Sequence, residues 1–321
     1  MPRLPRWTVA LDFPCESGGC CPTAPAEEVL IRRARRVVRP LLLVVCAGLG
    51  GMCATPAHAS FPGSNGRIAY RGFDDSDDEI YSVNPDGAGL RKLTSDDTGE
   101  RYPAWSPDGK QIAFSRGFDI WVMDADGSNE TQVTFADMYD KPAWSPDGSR
   151  IAAALAGGFG LAVMDADGSN VTLLTQLAPY ADGPTWSPDG TRIAYAANSD
   201  IYLVNPDGSG ETPLITRRAY DIAPNWSPDG SMIAFSRFGR RSEFGDIHVM
   251  RLDGSYHRRL TRVAAYDVNP VWSPDGSMIA WERCGSIQGI FVMQADGSGK
   301  TKVTDAHYTC TGSYPDWQPL P

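Results

Sequence analysis

Short apolar runs recur along the chain from about residue 66, each closed by a turn bearing Gly, Pro or Asp. "QIAF", "RIAA", "RIAY", "MIAF" and "MIAW" form one set. "DIWVM", "GLAVM", "DIYLV", "DIHVM" and "GIFVM" form a second, and "TQVT", "TLLT", "PLIT", "RRLT" and "TKVT" a third. Runs this short, rich in β-branched and aromatic residues and bounded by turn signals, predict strands. Before each set stands Pro-x-Trp, with Trp105, Trp144, Trp186, Trp226, Trp272 and Trp317 spaced 39, 42, 40, 46 and 45 residues apart. The unit therefore has four strands, A (Pro-x-Trp), B (Ile-Ala-Phe), C (Asp-Ile-Tyr-Val-Met) and D (Leu-Thr). Four strands every 40–45 residues are the mark of a β-propeller blade. A solenoid of stacked β-turns needs much shorter repeats.

Turn chemistry agrees. In Ser-Pro-Asp-Gly, Pro presets φ at the second turn position, Asp suits the third, and Gly takes the left-handed conformation that closes a tight hairpin. Asn-Pro-Asp-Gly and Asp-Ala-Asp-Gly do the same at the C–D turn. The paired Asp residues of these turns recur with the turn itself and read as structural.

The two ends of the repeat are complementary. Ahead of Trp105 lie "RIAY" (Arg67 to Tyr70), "EIYSV" (Glu79 to Val83), "NPDG" and "RKLT" (Arg91 to Thr94), which are B, C and D strands without an A strand. The final "YPDWQPLP" (Tyr314 to Pro321) is an A strand with nothing after it. Joined, they complete one blade. The expectation is an all-β, six-bladed propeller of four-stranded blades, its ring closed by pairing of N- and C-terminal strands. The six tryptophans are expected to pack blade against blade and not to form an aromatic ligand platform.

The repeated "PAWSPDG", "IAF" and "VMDADG" resemble the six-bladed propeller of the TolB family over residues 61–321. The Gly-His and Trp-Asp signatures of strict WD repeats are absent. The resemblance concerns the propeller alone. TolB proper carries an α/β domain ahead of its propeller and contacts Tol–Pal partners partly through it, and no segment here matches that domain, so the resemblance does not carry TolB's own role.

The first 59 residues follow a different pattern. "RRARR" (Arg32 to Arg36) precedes the apolar "LLLVVCAGLGGMCA" (Leu41 to Ala54), and Ala57-x-Ala59 offers a cleavage site. This is the plan of a secretory signal peptide over 29–59; the apolar run is short of the roughly 18 residues of a membrane span. Cys46 and Cys53 lack the small preceding residue of a lipoprotein signal. Residues 1–28 read as a leader from a mis-assigned start, with translation beginning near Val29; a long n-region is the alternative. Cleavage near Ala59 would leave an exported chain, periplasmic or extracellular, with 22 basic and 35 acidic residues and a net charge of −13. No basic stripe suited to nucleic acid is present, and no membrane span is expected. Two cysteines remain, Cys284 and Cys310, placed in a B–C loop and the next D–A loop of one blade neighbourhood; a disulfide is expected, two buried thiols being the alternative.

Candidate chemistry is sparse. Gly-x-Ser-x-Gly, the signature of prolyl-oligopeptidase-like hydrolases, is absent. No His pair stands at metal-ligand spacing, which also weakens any likeness to metal-dependent oligogalacturonate lyases. "FDDSDDE" (Phe73 to Glu79) offers Asp74, Asp75, Asp77 and Asp78 as Ca²⁺ ligands, but without the Gly and spacing of an EF-hand loop; a solvated acidic loop is the stronger reading. No other cofactor is expected.

The variable segments are the B–C loops, from "SRGF" to "SRFGRRSEFG" (Ser236 to Gly245), and the D–A loops. The latter place an aromatic and an acid before the Pro: Tyr139 and Asp140, Tyr180 and Asp182, Tyr220 and Asp221, Tyr266 and Asp267, with Glu100 and Tyr102 a looser fifth case. Six such loops are expected to ring the channel mouth with phenols and carboxylates, where binding on a rigid scaffold concentrates. The competing reading is that the acids cap loop N–H groups. Arg101, Arg217, Arg218, Arg240 and Arg241 lie near the same face. The expected role is a non-catalytic, monomeric binding module for a protein or peptide partner in the cell envelope or outside the cell. The alternative is a carbohydrate-binding protein or polysaccharide-lyase-like enzyme using the same mouth.

Overall fold

The computed structural model describes residues 61–73, 77–158, 160–175, 181–215, 219–239, 244–304 and 312–321. In chain order its strands are β1 (Ser64–Phe73), β2 (Asp78–Val83), β3 (Arg91–Lys92), β4 (Glu100–Trp105), β5 (Gln111–Arg116), β6 (Asp119–Asp124), β7 (Thr131–Gln132) and β8 (Tyr139–Trp144). Next come β9 (Arg150–Leu155), β10 (Leu161–Asp165), β11 (Thr172–Thr175), β12 (Asp182–Trp186), β13 (Ile193–Ala197), β14 (Asp200–Val204), β15 (Thr212–Ile215) and β16 (Tyr220–Trp226). The last are β17 (Met232–Phe238), β18 (Gly245–Arg251), β19 (His257–Arg259), β20 (Tyr266–Trp272), β21 (Met278–Cys284), β22 (Gly289–Gln294), β23 (Thr301–Lys302) and β24 (Asp316–Leu320). They form six antiparallel four-stranded sheets, five of them consecutive meanders. The sixth, ordered β24-β1-β2-β3, takes its inner strand from the other end of the chain and closes the ring. The leader and signal-peptide pattern of residues 1–59 lies outside the described residues.

Among the described residues, no blade has a core of its own. Each hydrophobic cluster draws on two adjacent blades: Ala69, Ile80 and Leu93 of the first pack with Trp105, Ile112, Phe114 and Met123 of the second. The closing junction is built alike, with Ile68, Tyr70, Val83 and Trp317 against Val271, Ala280, Ile290 and Val292. All six repeat tryptophans are buried, and the indole N–H groups of Trp144 and Trp186 donate to Ala104 and Ala143 of the preceding blade at 3.2 and 3.1 Å. In four blades the terminal Thr of strand D, Thr94, Thr134, Thr175 or Thr261, ties the outer edge by accepting a strand-C N–H. The Thr134 hydroxyl accepts the Ile120 N–H at 2.9 Å and donates to Asp119 at 2.8 Å, and Thr94 repeats this with Ile80 and Glu79.

The tight turns form one face. In Ser-Pro-Asp-Gly, the Asp accepts from the Ser hydroxyl and from the N–H two residues on, as Asp147 does from Ser145 at 2.6 Å and Ser149 at 3.1 Å. The inner strands run from the B–C/D–A loop face toward these turns, and their first residues set the geometry of the channel.

Candidate functional site

Each of the inner strands β4, β8, β12, β16 and β20 slips register two residues ahead of its Trp, as between Arg101 and Ala104 or Asp140 and Ala143. This β-bulge accommodates the Pro, which has no N–H to give the ladder. The residue before that Pro takes a left-handed conformation in all six blades: Tyr102 (φ 55°), Lys141 (54°), Gly183 (56°), Ala223 (51°), Asn269 (54°) and Tyr314 (43°). Sterics normally drive a pre-proline residue away from α-type geometry, and a non-Gly residue here costs on the order of 1 kcal/mol or more. Five of the six are not glycine, and all six line the channel, which encloses about 200 Å³.

Four of the channel-lining side chains converge. The Tyr102 and Tyr314 rings meet edge to face, centroids 4.4 Å apart. The Lys141 ammonium lies 4.9 Å from the Tyr102 centroid and 5.2 Å from that of Tyr314, and bonds the two Asp182 carboxylate oxygens at 2.5 and 2.6 Å. Burial pulls the Lys141 ammonium down, but the Tyr314 and Asp182 side chains outweigh it and hold the group above the ordinary lysine range. Burial raises both phenols, so Tyr102 and Tyr314 stay protonated donors at neutral pH. Burial first, then the Asp182 charge, likewise raises Tyr220.

From Tyr220 an aromatic row continues over the fifth and sixth blades. Tyr220 meets Phe238 at 5.8 Å, Phe238 meets Tyr266 at 6.3 Å, and Tyr266 meets Phe244 at 5.4 Å between centroids. Tyr220 and Tyr266 are 52% and 40% exposed.

The remaining D–A loop acids face elsewhere. Glu100, Asp221 and Asp267 are fully buried and pair with an arginine sixteen residues on, in strand B of the same blade. Arg237 clasps Asp221 through Nε at 2.6 Å and Nη2 at 2.7 Å; Arg283 clasps Asp267 at 2.6 and 2.8 Å. Arg116 holds Glu100 at 2.7 Å together with Asp96 and Glu130. Burial nevertheless pushes the Glu100 carboxyl up to about 7 against the pull of Arg116. Tyr139 is buried among core residues, and burial raises the half-buried Asp140 despite its bond to Ser115. Tyr180 lies outside the described residues, as do Asp74, Asp75, Arg217, Arg218, Arg240, Arg241 and Cys310. Asp78 is held by Arg71 at 2.8 Å and Arg101 at 3.1 Å, and Cys284 is buried with Sγ 3.4 Å from Glu282. Among the described residues, no three His, Cys, Asp or Glu side chains gather as a metal centre would require.

The structure thus joins Tyr102, Asp182, Tyr220 and Tyr266 to two residues that sequence reasoning passed over, Lys141 and Tyr314. Their signal was present as the variable position immediately before an unchanging Pro.

The family model described as the TolB beta propeller domain matches residues 154–319. The model for the dipeptidyl peptidase IV N-terminal region matches residues 63–156. Comparison with curated proteins found no match. Among solved structures, a TolB-type protein from Agrobacterium tumefaciens is 25% identical with a TM-score of 0.64, over 78% of this chain and 91% of that one. TolB from Acinetobacter baumannii is 20% identical with a TM-score of 0.64, over 81% and 69%. An oligogalacturonate lyase in complex with manganese shares the fold at 15% identity and a TM-score of 0.56, over 79% and 78%. With the family's model covering just over half of its length, the chain belongs to the TolB beta propeller domain family.

Proposed function

We propose that the protein is an exported, non-catalytic binding module that engages a protein or peptide partner through its B–C/D–A face. A TolB-like propeller supports a binding or scaffold role in general. The observation that carries the more specific reading is the placing of exposed apolar side chains. Phe118, Phe135, Met138, Tyr220, Tyr266 and Ile287 are all at least 40% exposed, and all belong to B–C or D–A segments. Aromatic and Met side chains of this kind form the anchors of protein interfaces. Export rests on the signal-peptide pattern of residues 29–59.

A lyase-like reading finds less support at this face. Acid–base chemistry needs a free carboxylate within reach of substrate; Glu100, Asp221 and Asp267 are buried against arginines, and the exposed Asp182 has both carboxylate oxygens bonded to Lys141. Carbohydrate binding on the aromatic row is the reading that competes.

The test is capture of envelope proteins by the wild type, by Tyr220→Ala/Tyr266→Ala, and by a control altered on the opposite face, Asp167→Ala/Asp207→Ala. One partner should be retained by wild type and control and fall at least tenfold with the double variant. Equal retention by all three overturns the proposed face. Saturable binding to a glycan array, lost in the same double variant, replaces protein with carbohydrate.

A further inference from the structure

The ammonium of Lys141 occupies a setting built for a cation. Two electron-rich ring faces flank it within about 5 Å and a carboxylate closes the third side, the arrangement by which proteins hold ammonium ligands. The cage walls come from three blades other than that of Lys141: Tyr314 from the first, Tyr102 from the second and Asp182 from the fourth. Lys141 reaches in on a flexible four-carbon stem. Its side chain is 16% exposed and that of Asp182 44%, so the cage opens to solvent on the carboxylate side.

We propose that Tyr102, Tyr314 and Asp182 form a receptor for a lysine or arginine side chain of a partner peptide, and that Lys141 is its resident stand-in, displaced when the partner docks. This deepens the reading of the loop face as a peptide-binding surface and rests on it. Charge complementarity names the occupant: the half-exposed Asp182 carboxylate is the charge at the opening of the cage, and a net charge of −13 over residues 60–321 favours the approach of a basic partner. Displacement follows from charge balance. Both Asp182 oxygens already serve Lys141, so an incoming cation finds that carboxylate occupied and is repelled by the ammonium beside it until it takes its place. Exchange of one cation for another gains little affinity by itself. The cage therefore selects for positive charge, while the aromatic row from Tyr220 to Phe244 supplies the binding energy.

The test empties the cage. Lys141→Ala introduces the residue that the fifth blade carries at the same ring position, Ala223, whose φ of 51° matches the 54° of Lys141. Lys141→Gly, which copies Gly183 of the fourth blade, serves as the second variant. The purified proteins are titrated by calorimetry with N-acetyl-lysine methylamide and with its uncharged isostere, N-acetyl-norleucine methylamide. Lys141→Ala is expected to bind the lysine amide at least tenfold more tightly than wild type does, and at least tenfold more tightly than it binds the isostere. Adding Asp182→Asn should abolish that gain, and 0.5 M salt should weaken it. Equal binding by wild type and both Lys141 variants overturns the proposal, as does equal binding of the two amides. A fall in melting temperature that no amine restores makes Lys141 a strut between blades, which also overturns it. Failure here leaves the partner-capture result standing, because the small amides do not touch the aromatic row.

Discussion

Asp316 and Asn225 stand at the same place in two inner strands, between Pro and Trp, and accept the same kind of bond. Asp316 takes the Trp105 N–H at 2.6 Å and Asn225 the Trp272 N–H at 2.9 Å, each from the following blade. Burial pushes the Asp316 carboxyl up to about 7, although the Trp105 and Trp317 N–H groups pull it down. In the unfolded chain it returns to about 3.9. A carboxyl raised on folding contributes stability that is whole below the unfolded value and is lost as pH rises toward 7. Asp316→Asn keeps the acceptor and removes the charge. Its thermal unfolding at pH 8 should show a gain of about 1–3 kcal/mol over wild type, shrinking to nothing near pH 4. A loss at pH 8 would mean that the charge strengthens the Trp105 bond more than burial penalises it. The turn residues Asp108, Asp147, Asp189, Asp229 and Asp275 behave oppositely. Burial works against them, but hydroxyl and N–H donors hold them below the usual carboxylate range, so their contribution is lost only as pH falls through those lowered values.

At the scale of the element, β24 is fixed by contacts along its whole length. Glu282 of the last blade accepts the Ser313 N–H at 2.6 Å, and Gln318 accepts from Arg67 at 3.1 Å and donates to Gly109 at 2.8 Å. Gly66 lets the strand approach: a Cβ there would fall 2.7 Å from Gln318 Oε1 and 2.8 Å from its backbone oxygen. Gly66→Ala is accordingly expected to cost about 2–3 kcal/mol in urea unfolding, against about 1 kcal/mol for Gly254→Ala, which has a φ of 70° but open space around it. Equal costs would show that β24 shifts freely. The strands themselves were legible in the sequence because each apolar run ends in its own turn signal, and the incomplete first and last repeats told which strands pair. The left-handed pre-proline ring was not, because local sterics argue against it and only closure of the bulge around the channel imposes it. Three of the D–A loop carboxylates, Glu100, Asp221 and Asp267, are buried away from the channel for a related reason. Assigning them to the channel mouth ignored register: Glu100, Asp221 and Asp267 each lie opposite an arginine across the first hairpin. An acid followed sixteen residues later by Arg, three times over, was the clue to that pairing.

The whole molecule unfolds as one unit if every core is shared. Removing residues 312–321 takes Trp317 out of the closing cluster and opens the ring at both flanks of the first blade. Loss of a buried Trp alone costs about 3–5 kcal/mol, and at about 2–4 °C per kcal/mol for chains of this size the melting temperature should fall by about 10 °C or more. Calorimetry should show a single transition before and after truncation. An unchanged melting temperature would mean that closure contributes nothing. At this scale too the channel ring has a consequence for how chemistry is distributed around the mouth. Its backbone is dictated by Pro and bulge, identical in every blade, while the six side chains it displays are Tyr, Lys, Gly, Ala, Asn and Tyr. Conformation and chemistry are thus uncoupled at six neighbouring positions, which act as a short rewritable code. Within this one chain the same left-handed backbone already carries a phenol, an ammonium, an amide, a methyl group and a bare glycine, so what the mouth presents changes from blade to blade while the fold that presents it does not.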